Sequence, residues 1–411
     1  MTRRIAILAP EPIRLQMAGM GIRALEIAAA LAPRFDVRLL VPNAAGEAPA
    51  RPGVTVVEAP PGSPAFHREV RACEAALVSG HAASEVFVAA PHLPVAVDWY
   101  DPFLVENFHY RESLGEDVEA NDRRAWNLAL ARADFFLCAS EEQRLFYAGM
   151  LVLSGRIDAD FARIDPGAGS LLAVVPFGAS PPPPADASRI RAAVGAEQDD
   201  PILFFGGLYD WHDVDPLVEA WPDLLAEFPR LRILFSENPN RGTTPQKVYE
   251  QAVAASESRG WKDRSFFFLP WSPYPARGAL YGASRLSVCL CRPGLETELS
   301  FRTRLLDAAS AGLPSVSVNG GALGAGLAAA GAGWTATNAA SLREAIARPL
   351  RDETLRQSAA KNASAFARRF SWPEVVAPVS RFFENPRVSN RLPFPEPRPR
   401  PAFRLLRRGR P

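Results

Sequence analysis

The chain alternates short apolar runs of strand length with amphipathic segments of helix length, and this alternation occurs twice along its 411 residues. Strands joined by helices predict βαβ units, so each series predicts a parallel sheet covered by helices. Four consecutive prolines at residues 181–184 separate the two series, because proline cannot continue a central strand or a helix interior. The sequence therefore predicts an α/β protein with two doubly wound domains.

The apolar runs also set the predicted elements. In the first series, strands are predicted at residues 4–10, 37–42, 54–59, 85–90, 95–99, 135–139 and 173–176, and helices at 21–32 and 123–133. In the second series, strands are predicted at 202–205, 231–236, 266–269, 286–291 and 315–318, and a helix at 214–228. We predict a Rossmann-like domain at 1–178, a linker at 179–200, a second domain at 201–366, a crossing helix at 367–384 and a tail at 385–411.

Charge is nearly balanced over the whole chain, with a formal net charge of +1, which argues against nucleic acid as a partner. The tail is different, because residues 386–411 contain eight arginines and one glutamate. Alternating proline and arginine favour extended polyproline II, so the tail is predicted to be disordered. Apolar runs are all shorter than the roughly 18 residues that span a bilayer, and we expect a cytoplasmic protein.

Cysteine and histidine spacing gives no indication of a metal site. The four cysteines, Cys73, Cys138, Cys289 and Cys291, form no CxxC pair, and the histidines lack ligand spacing. Alternation along a strand places Cys289 and Cys291 on one face. Burial as small apolar side chains is favoured over metal binding.

The segment at residues 296–314, ETELSFRTRLLDAASAGLP, concentrates charge before and within a predicted helix. Its helix is predicted to begin near Ser300, as a side-chain cap, and to stop at Gly312 and Pro314. Free N–H groups at such a helix start favour an anion, and Arg302 would strengthen that attraction. A surface ion pair between Arg304 and Asp307, which are i,i+3 neighbours, is the alternative interpretation.

This helix, from Arg304 to Pro314, resembles the donor-site helix of retaining GT-B glycosyltransferases of the large family-4 group, the glycosyl transferases group 1. That family has two glutamates separated by seven residues, the second followed by Ala-x-Gly-x-Pro. Asp307 stands at the second glutamate, whereas Leu299 stands eight residues before it. The resemblance implies two facing Rossmann-like domains with the active site in the cleft between them.

The resemblance also implies roles for residues in the second domain. Asp307 would bind the ribose hydroxyls, Glu296 or Glu298 would lie near the donor sugar, and Arg302 or Arg304 would bind the diphosphate. Gly206 and Gly207 follow the second domain's first strand, where backbone can approach a phosphate, although a plain βα turn is the alternative. The loop after them lacks the family's basic pair, so the positive charge is expected from Arg241, Lys247, Arg292, Arg302 and Arg304.

In the first domain, Gly19, Gly21 and Arg23 form a glycine-containing loop and helix start that the resemblance places against the donor phosphates. The third glycine of a dinucleotide fingerprint is missing, which argues against a nicotinamide site. Tyr100 and Asp101 follow a strand where many members of the family have a histidine at the reaction centre, and His109 lies nearby. Capping of the loop by aspartate is the alternative.

These features predict transfer of a sugar from a nucleoside diphosphate donor to a saccharide or lipid-linked saccharide, with retention at the anomeric carbon. Tyr100, Asp101 and Glu298 are the predicted catalytic residues, and neither metal nor cofactor is expected. Synthesis of cell-surface polysaccharide or glycoconjugate is the expected context, with possible peripheral membrane contact through the basic tail. The alternatives are a sugar-nucleotide 2-epimerase and a non-catalytic sugar-nucleotide-binding scaffold.

Overall fold

The computed structural model describes residues 2–183, 185–238, 244–389 and 391–395. The chain divides into two compact units, one formed by residues 1–178 and 372–411, and the other by residues 179–371. The first division falls after Gly178, the residue at which the sequence analysis ended the first domain. Residues 179–200 belong to the second unit and do not form a separate linker.

The first unit contains the strands β1 (Arg4–Leu8), β2 (Asp36–Val41), β3 (Val54–Glu58), β4 (Ala75–Ser79), β5 (Val95–Asp98), β6 (Phe135–Cys138) and β7 (Leu172–Val174). Within the described residues they form one sheet in the order β3-β2-β1-β4-β5-β6-β7, and every neighbouring pair is parallel. The strand order reverses between β1 and β4. Loops after these two strands therefore flank a crevice at the carboxyl edge of the sheet.

The helices of this part of the first unit connect its strands: α1 (Gly19–Leu31), α2 (Pro64–Arg71), α3 (Ala83–Ala89), α4 (Phe103–Glu106), α5 (Arg111–Leu114), α6 (Glu116–Arg132), α7 (Glu141–Leu153) and α8 (Ala159–Ile164). Trp99 lies at the centre of the core, stacked on Trp126 and Phe136 with ring centroids 4.4 and 4.2 Å apart. The Tyr147 hydroxyl donates to the Trp99 carbonyl at 3.0 Å. The start of the loop after β5 is thus fixed by aromatic packing.

One predicted strand of the first unit is wrong. Residues 85–90 were predicted to be a strand, but residues up to Ala89 form helix α3, while strand β4 lies earlier. Ala83, Val86 and Phe87 are buried at i, i+3 and i+4 spacing, which is a helical face. Strand β4 reads AALVS and is buried at all five positions; two alanines give it little strand propensity, so its place between β1 and β5 decides its conformation.

The second unit contains the strands β8 (Ile202–Gly207), β9 (Arg232–Ser236), β10 (Phe266–Leu269), β11 (Leu286–Leu290), β12 (Ser315–Val318) and β13 (Gly333–Ala336). Within the described residues they form a sheet in the order β10-β9-β8-β11-β12-β13, again with parallel pairs. Strand β13 was not predicted. The strand order reverses between β8 and β11, so the second unit has its own crevice at the carboxyl ends of these strands.

The helices of the second unit are α9 (Ser188–Ala193), α10 (Asp215–Glu227), α11 (Lys247–Ser258), α12 (Gly278–Ala283), α13 (Leu295–Leu299), α14 (Thr303–Ser310), α15 (Gly321–Ala329), α16 (Ala339–Arg351) and α17 (Glu353–Ala367). Leu203 and Phe205 of β8 belong to one apolar cluster, and Ile202 and Phe204 belong to another. Both faces of the sheet are therefore covered, as expected for a parallel sheet. Two doubly wound α/β units confirm the predicted fold class.

Helix α14 ends at the predicted stop signal. The backbone turns into the left-handed region at Gly312, whose φ is 71°, a value that glycine adopts without strain. The Gly312 N–H donates to the Ala309 carbonyl at 3.0 Å, and the Leu313 N–H donates to the Ala308 carbonyl at 2.9 Å. These two bonds form a Schellman motif, which fixes the direction of the chain into β12.

The chain returns to the first unit at Trp372 through α18 (Trp372–Val375) and α19 (Ala377–Glu384). The segment predicted as one crossing helix is thus divided, since residues 367–371 belong to the second unit. Trp372 covers Gly178, where an added Cβ would lie 2.2 Å from the indole. Phe383 packs edge-on against Phe35 at 5.9 Å. The first unit is completed by residues from both ends of the chain.

The beginning of the tail is ordered, which corrects the prediction of disorder from residue 385 onward. We call residues 386–389 and 391–395 the C-terminal strap. Arg391 Nε donates to the Asp134 carboxylate at 2.9 Å, and the Ser389 N–H donates to the same carboxylate at 2.8 Å. The Leu392 N–H donates to the Ala131 carbonyl at 2.8 Å. The buried Asp134 carboxylate and a carbonyl in the last turn of α6 hold this segment in place.

Residues 396–411, which contain most of the tail's arginines, lie outside the described residues. Across the described ranges, every helix is too short or too polar to cross a lipid bilayer.

Candidate functional site

The crevice of the second unit lies between the loops that follow β8 and β11. Strand β8 ends in Gly206 and Gly207, and its pairing with β9 is irregular between Phe204 and Gly206. Gly206 has a φ of 82°, so a residue with a Cβ would be strained there. Open α/β sheets bind ligands at this position. The structure therefore places the two glycines where the sequence predicted a donor contact.

Arg304 extends from α14 to the end of β8. Its Nη1 donates to the Phe205 carbonyl at 2.9 Å, and its Nη2 donates to the Gly207 carbonyl at 2.8 Å. The side chain is half-buried. Arg304 thus fixes the backbone of the glycine turn and brings a positive charge to the crevice, while its role as a diphosphate contact stays a prediction.

Glu296 and Arg302 neutralise one another inside the second unit. Arg302 Nη1 and Nη2 donate to Glu296 Oε1 and Oε2 at 2.9 and 2.7 Å, and the Arg302 and Glu296 side chains are only 6% and 4% exposed. The neighbouring hydroxyls of Ser300 and Thr297 also donate to the Glu296 carboxylate. Sequence analysis assigned Glu296 to the sugar and Arg302 to the diphosphate. A buried bidentate pair stabilises the fold, and the two ligand roles stay predictions.

The start of α14 also differs from the prediction. The helix begins at Thr303, and its N-cap Arg302 makes no side-chain capping bond. Ser300, predicted to be the cap, donates its hydroxyl to Glu296 at 2.6 Å instead. Residues 296–302 are therefore held by the Glu296–Arg302 pair, and the helix start lies three residues later than expected.

Asp307 forms an ion pair with Arg277, which precedes α12, and not with Arg304. The Arg277 Nη2 lies 3.4 Å from Asp307 Oδ1, with both side chains nearly buried. Burial raises the pKa of Asp307, and the Arg277 charge partly opposes that shift. Arg277 also stacks on Tyr274 at 4.1 Å. The sequence indicated Asp307 but not Arg277, because the two residues are 30 positions apart.

Other charged candidates of the second unit differ in accessibility. Glu298 and Arg292 are exposed on the loop and helix that follow β11, and the Arg292 Nε donates to the His212 carbonyl at 3.3 Å. Lys247 is exposed at the start of α11. Arg241, another predicted source of positive charge, lies outside the described residues. Arg292 and Arg304 are thus the predicted basic residues that the structure places at the ends of β8 and β11.

The loop after Gly207 is held by its own polar side chains. Asp210 accepts from the Val248 N–H at 3.1 Å, and Asp213 accepts from the Asp215 N–H at 3.1 Å. Tyr209 and Trp211 stack with ring centroids 4.7 Å apart and planes 2° apart. The two carboxylates cap the starts of α11 and α10, where negative charge stabilises a helix.

Cys289 and Cys291 lie next to each other beneath this crevice. Their Sγ atoms are 3.8 Å apart, and both side chains are fully buried, so the predicted shared strand face is confirmed. Throughout the described residues, no group of three or more His, Cys, Asp and Glu side chains could hold a metal ion.

In the first unit, Arg23 is committed to an internal ion pair. Its Nε and Nη2 donate to the two oxygens of Asp98 at 2.6 and 3.0 Å, and its guanidinium also donates to the Val175 and Pro176 carbonyls. Arg23 is 1% exposed. The charge of Arg23 is thus paired within the core, and its predicted contact with the donor phosphates stays a prediction.

A carboxylate occupies part of the predicted glycine loop. The Gly21 N–H donates to Glu11 Oε1 at 2.6 Å, and a Cβ on Gly21 would lie 3.0 Å from that oxygen. Gly19, which begins α1, has open space around it. The backbone donor of Gly21 is thus satisfied by the protein, whereas Gly19 stays a predicted contact.

The two predicted catalytic residues of the first unit, Tyr100 and Asp101, follow β5 and differ in solvent exposure. Tyr100 is 8% exposed, and the Arg23 guanidinium lies 4.5 Å from its ring centroid. Its ring thus packs against the buried Arg23–Asp98 pair, and its catalytic role stays a prediction. Asp101 is half-buried at the edge of the core, and its catalytic role stays a prediction, as does that of Glu298.

Sequence analysis missed a contact between a histidine and a buried carboxylate in the first unit. His81 Nε2 lies 2.8 Å from Asp122 Oδ1, and Asp122 is 1% exposed. The Asn107 amide donates to the other carboxylate oxygen at 2.7 Å. His81 follows β4, whereas Asp122 lies on α6. The two residues belong to distant parts of the chain, so their spacing carried no signal.

Comparison with known families decides the class of the second unit. Residues 199–352 match the family described as Glycosyl transferases group 1. The second unit is a glycosyltransferase domain. No curated protein sequence matches the chain.

Solved structures share the fold over nearly the whole chain. Sucrose-phosphate synthase from Thermosynechococcus elongatus is 14% identical, with a TM-score of 0.66 over 93% of this chain and 98% of that one. Anabaena HepE in complex with UDP-glucose is 17% identical, with a TM-score of 0.65 over 93% and 99%. WaaG, a glycosyltransferase involved in lipopolysaccharide biosynthesis, is 16% identical, with a TM-score of 0.62 over 91% and 99%. These similarities show the GT-B fold.

The matched residues of the glycosyltransferase domain include both loops of the crevice and all of α14. Gly206, Gly207, Arg304 and Asp307 therefore lie inside the matched region. This domain places the chain among the glycosyltransferase enzymes.

Proposed function

We propose that the chain transfers a hexose or deoxyhexose from a nucleoside diphosphate donor to a saccharide or lipid-linked saccharide, with retention at the anomeric carbon. The observation that carries this proposal is the crevice of the glycosyltransferase domain, where Arg304 supports the glycine turn at the end of β8. Structures of similar fold hold UDP-glucose or UDP. Synthesis of cell-surface polysaccharide or glycoconjugate is the proposed context.

Donor binding is assigned to side chains around the crevice. Asp307 accepts hydrogen bonds from the ribose hydroxyls, which suits a carboxylate whose charge is balanced by Arg277 at 3.4 Å. Arg304 and the exposed Arg292 attract the diphosphate, because guanidinium groups match phosphate geometry. Glu298, which is exposed, contacts the donor sugar.

Charge stabilisation of the departing diphosphate is the main catalytic contribution that we propose. Arg292, Arg304 and the backbone N–H groups near Gly207 supply it, so neither metal nor cofactor is required. Removing one preorganised donor of this kind lowers the rate by about 10²–10³. Asp101 of the first unit is proposed to act on the reacting groups.

The protein is proposed to work in the cytoplasm, with peripheral contact to anionic membranes through the basic tail. Each basic residue close to an anionic surface contributes about 1 kcal/mol. Removing only residues 396–411 leaves the C-terminal strap intact and should reduce sedimentation with phosphatidylglycerol vesicles. Unchanged sedimentation would contradict the membrane role.

Ligand-induced stabilisation tests donor binding directly. Thermal unfolding of the full chain is followed with UDP, GDP, ADP and their sugars, since a ligand at about 100 times its Kd stabilises the folded state by about 2.7 kcal/mol. We expect one nucleotide series to raise the midpoint, and Arg292→Ala to reduce the rise. Arg343→Ala, half-buried on α16 of the same unit, is the matched control. No rise with any nucleotide would overturn the proposed function.

Product analysis then separates the mechanistic alternatives. The anomeric coupling constant of the first product, measured by proton NMR, should match that of the donor if configuration is retained. A product of inverted configuration would overturn retention. Conversion of UDP-GlcNAc to another sugar nucleotide without acceptor would instead indicate an epimerase.

A further inference from the structure

The second unit has another recess, at the opposite edge of its sheet from the crevice. This arginine recess has a volume of about 450 Å³, and its polar lining comprises Asp186, Ser188, Arg191, Gln198, Ser284, Arg285 and Arg356. Arg285 directly precedes β11, and α9, which carries Arg191, precedes β8. The recess therefore lies near the amino ends of the central strands, whereas the donor crevice lies at their carboxyl ends.

Positive charge predominates in the arginine recess. Three arginines and one aspartate line the recess, and Glu353 neutralises Arg356, which leaves one positive charge in excess. Arg356 is paired with Glu353, but Arg285 has only a 4.0 Å contact with Asp199, whose side chain is fully exposed. Arg285 is 30% exposed. Its guanidinium is thus accessible and only weakly neutralised.

Arg191 lies deeper and is fixed by backbone carbonyls. Its Nη1 donates to the Ala283 carbonyl at 2.8 Å, and its Nη2 donates to the Asp200 carbonyl at 2.9 Å. Its Nε is buried and has no hydrogen-bond partner among the residues that the structure describes. A buried donor without a partner is unfavourable, because it has lost its hydrogen bonds to water. An acceptor that enters the recess would remove that cost.

Arg285 also destabilises the charged form of Arg191. Burial lowers the pKa of Arg191, and the neighbouring charge of Arg285 lowers it further. Like charges held close together are unfavourable in a partly buried site. An anion between Arg191 and Arg285 would relieve this repulsion.

We propose that the arginine recess binds a soluble small molecule carrying a phosphoryl group. Its volume falls within the usual range of about 300–1,000 Å³ for small-molecule sites. The excess positive charge suits an anion, and guanidinium groups recognise phosphate through paired N–H donors. This ligand site is separate from the donor crevice and does not depend on the proposed transfer reaction.

Isothermal titration of the full chain with pyrophosphate tests the arginine recess. The titration is performed with saturating UDP, so that the donor crevice is filled. We expect a Kd of about 1 mM or tighter, and Arg285→Ala should weaken it by about tenfold or more, since one charge-assisted contact is lost. Arg259→Ala, an exposed arginine of the same unit outside both the arginine recess and the donor crevice, is the matched control and should bind pyrophosphate as the wild type does.

Each result has a defined meaning. Absence of pyrophosphate binding, or equal binding by the wild type and Arg285→Ala, would overturn the proposal. Loss of binding in Arg292→Ala alone would place pyrophosphate in the donor crevice and would also overturn it. If UDP itself fails to bind, the donor proposal fails, but the comparison of Arg285→Ala with Arg259→Ala still reports on the arginine recess. A second variant, Gln198→Trp, fills the opening of the recess and should also abolish binding.

Discussion

At the scale of single residues, several side chains predicted to contact a ligand lie in internal ion pairs. Glu296 pairs with Arg302 in the second unit, and Arg23 pairs with Asp98 in the first. Each pair is nearly inaccessible to solvent. Charges in such places are stable only when paired, because desolvation of an isolated charge is costly. These ion pairs therefore stabilise the folded segments around the site.

Removing one member of the Glu296–Arg302 pair tests this structural role. We expect Arg302→Met to lower the free energy of unfolding by about 3–5 kcal/mol, since it leaves a buried carboxylate unpaired. The double variant Glu296→Gln, Arg302→Met should lower the free energy of unfolding much less, because it leaves no unpaired buried charge. Urea denaturation measures both. If Arg302→Met kept wild-type stability and lost only nucleotide affinity, Arg302 would be a ligand contact after all.

The raised pKa of Asp307 predicts a pH dependence of stability. A carboxyl group whose pKa is higher in the folded than in the unfolded state binds protons more tightly when folded. The contribution of Asp307 to the free energy of unfolding therefore decreases as the pH rises from the pKa of the unfolded state through the pKa of the folded state. We expect the difference in unfolding free energy between wild type and Asp307→Asn to fall between about pH 4 and neutral pH. A constant or rising difference in urea titrations would contradict this assignment.

The positions of these residues were more predictable than their partners. The sequence indicated Asp307 through the resemblance of its helix, which ends at Gly312 and Pro314, to the donor-site helix of a known family. It could not indicate Arg277, which approaches Asp307 only through packing of α12 beside α14. The same limit applies to Arg23 and Asp98, which are 75 positions apart. Spacing rules describe neighbours on one element, whereas most ion pairs join different elements.

At the scale of elements, burial decided the assignments that composition left open. Strand β4 and helix α3 contain similar small and β-branched residues, and the sequence analysis assigned a strand to the wrong one. Strand β4 is fully buried between β1 and β5, so its side chains alternate between two covered faces. Elements with a regular pattern, such as β12 and α10, were predicted correctly because their own residues specify them.

The C-terminal strap is an element whose importance can be measured by truncation. A chain ending at residue 395 should keep wild-type stability of the first unit. A chain ending at residue 385 should lose about 3–5 kcal/mol, because the Asp134 carboxylate, with a fully buried side chain, would lose Arg391. Thermal unfolding measures both chains. Equal midpoints would show that the strap contributes nothing to stability. Arg391→Met in the full chain removes the charge of Arg391 without shortening the chain, so it tests the ion pair alone.

At the scale of the whole molecule, the two units have separate apolar cores. Proteins with several cores commonly depart from two-state unfolding. We expect two calorimetric transitions, of which Arg302→Met lowers one and Arg391→Met lowers the other. A loss of about 1 kcal/mol shifts the midpoint of a unit of this size by about 2–4 °C. If both variants lowered the same transition, the units would unfold together.

The second unit begins and ends at adjacent points, since Ala179 forms a bridge with Ser371 and its N–H donates to the Phe370 carbonyl at 2.6 Å. It is therefore an insertion within the first unit. During synthesis, the inserted unit is complete while the first still lacks Trp372, which covers Gly178, and Arg391, which neutralises Asp134. We infer that the N-terminal unit reaches its final stability last. Ribosome-bound chains ending at residue 385 should accordingly be cleaved by protease in residues 1–178 but resist cleavage in residues 179–371.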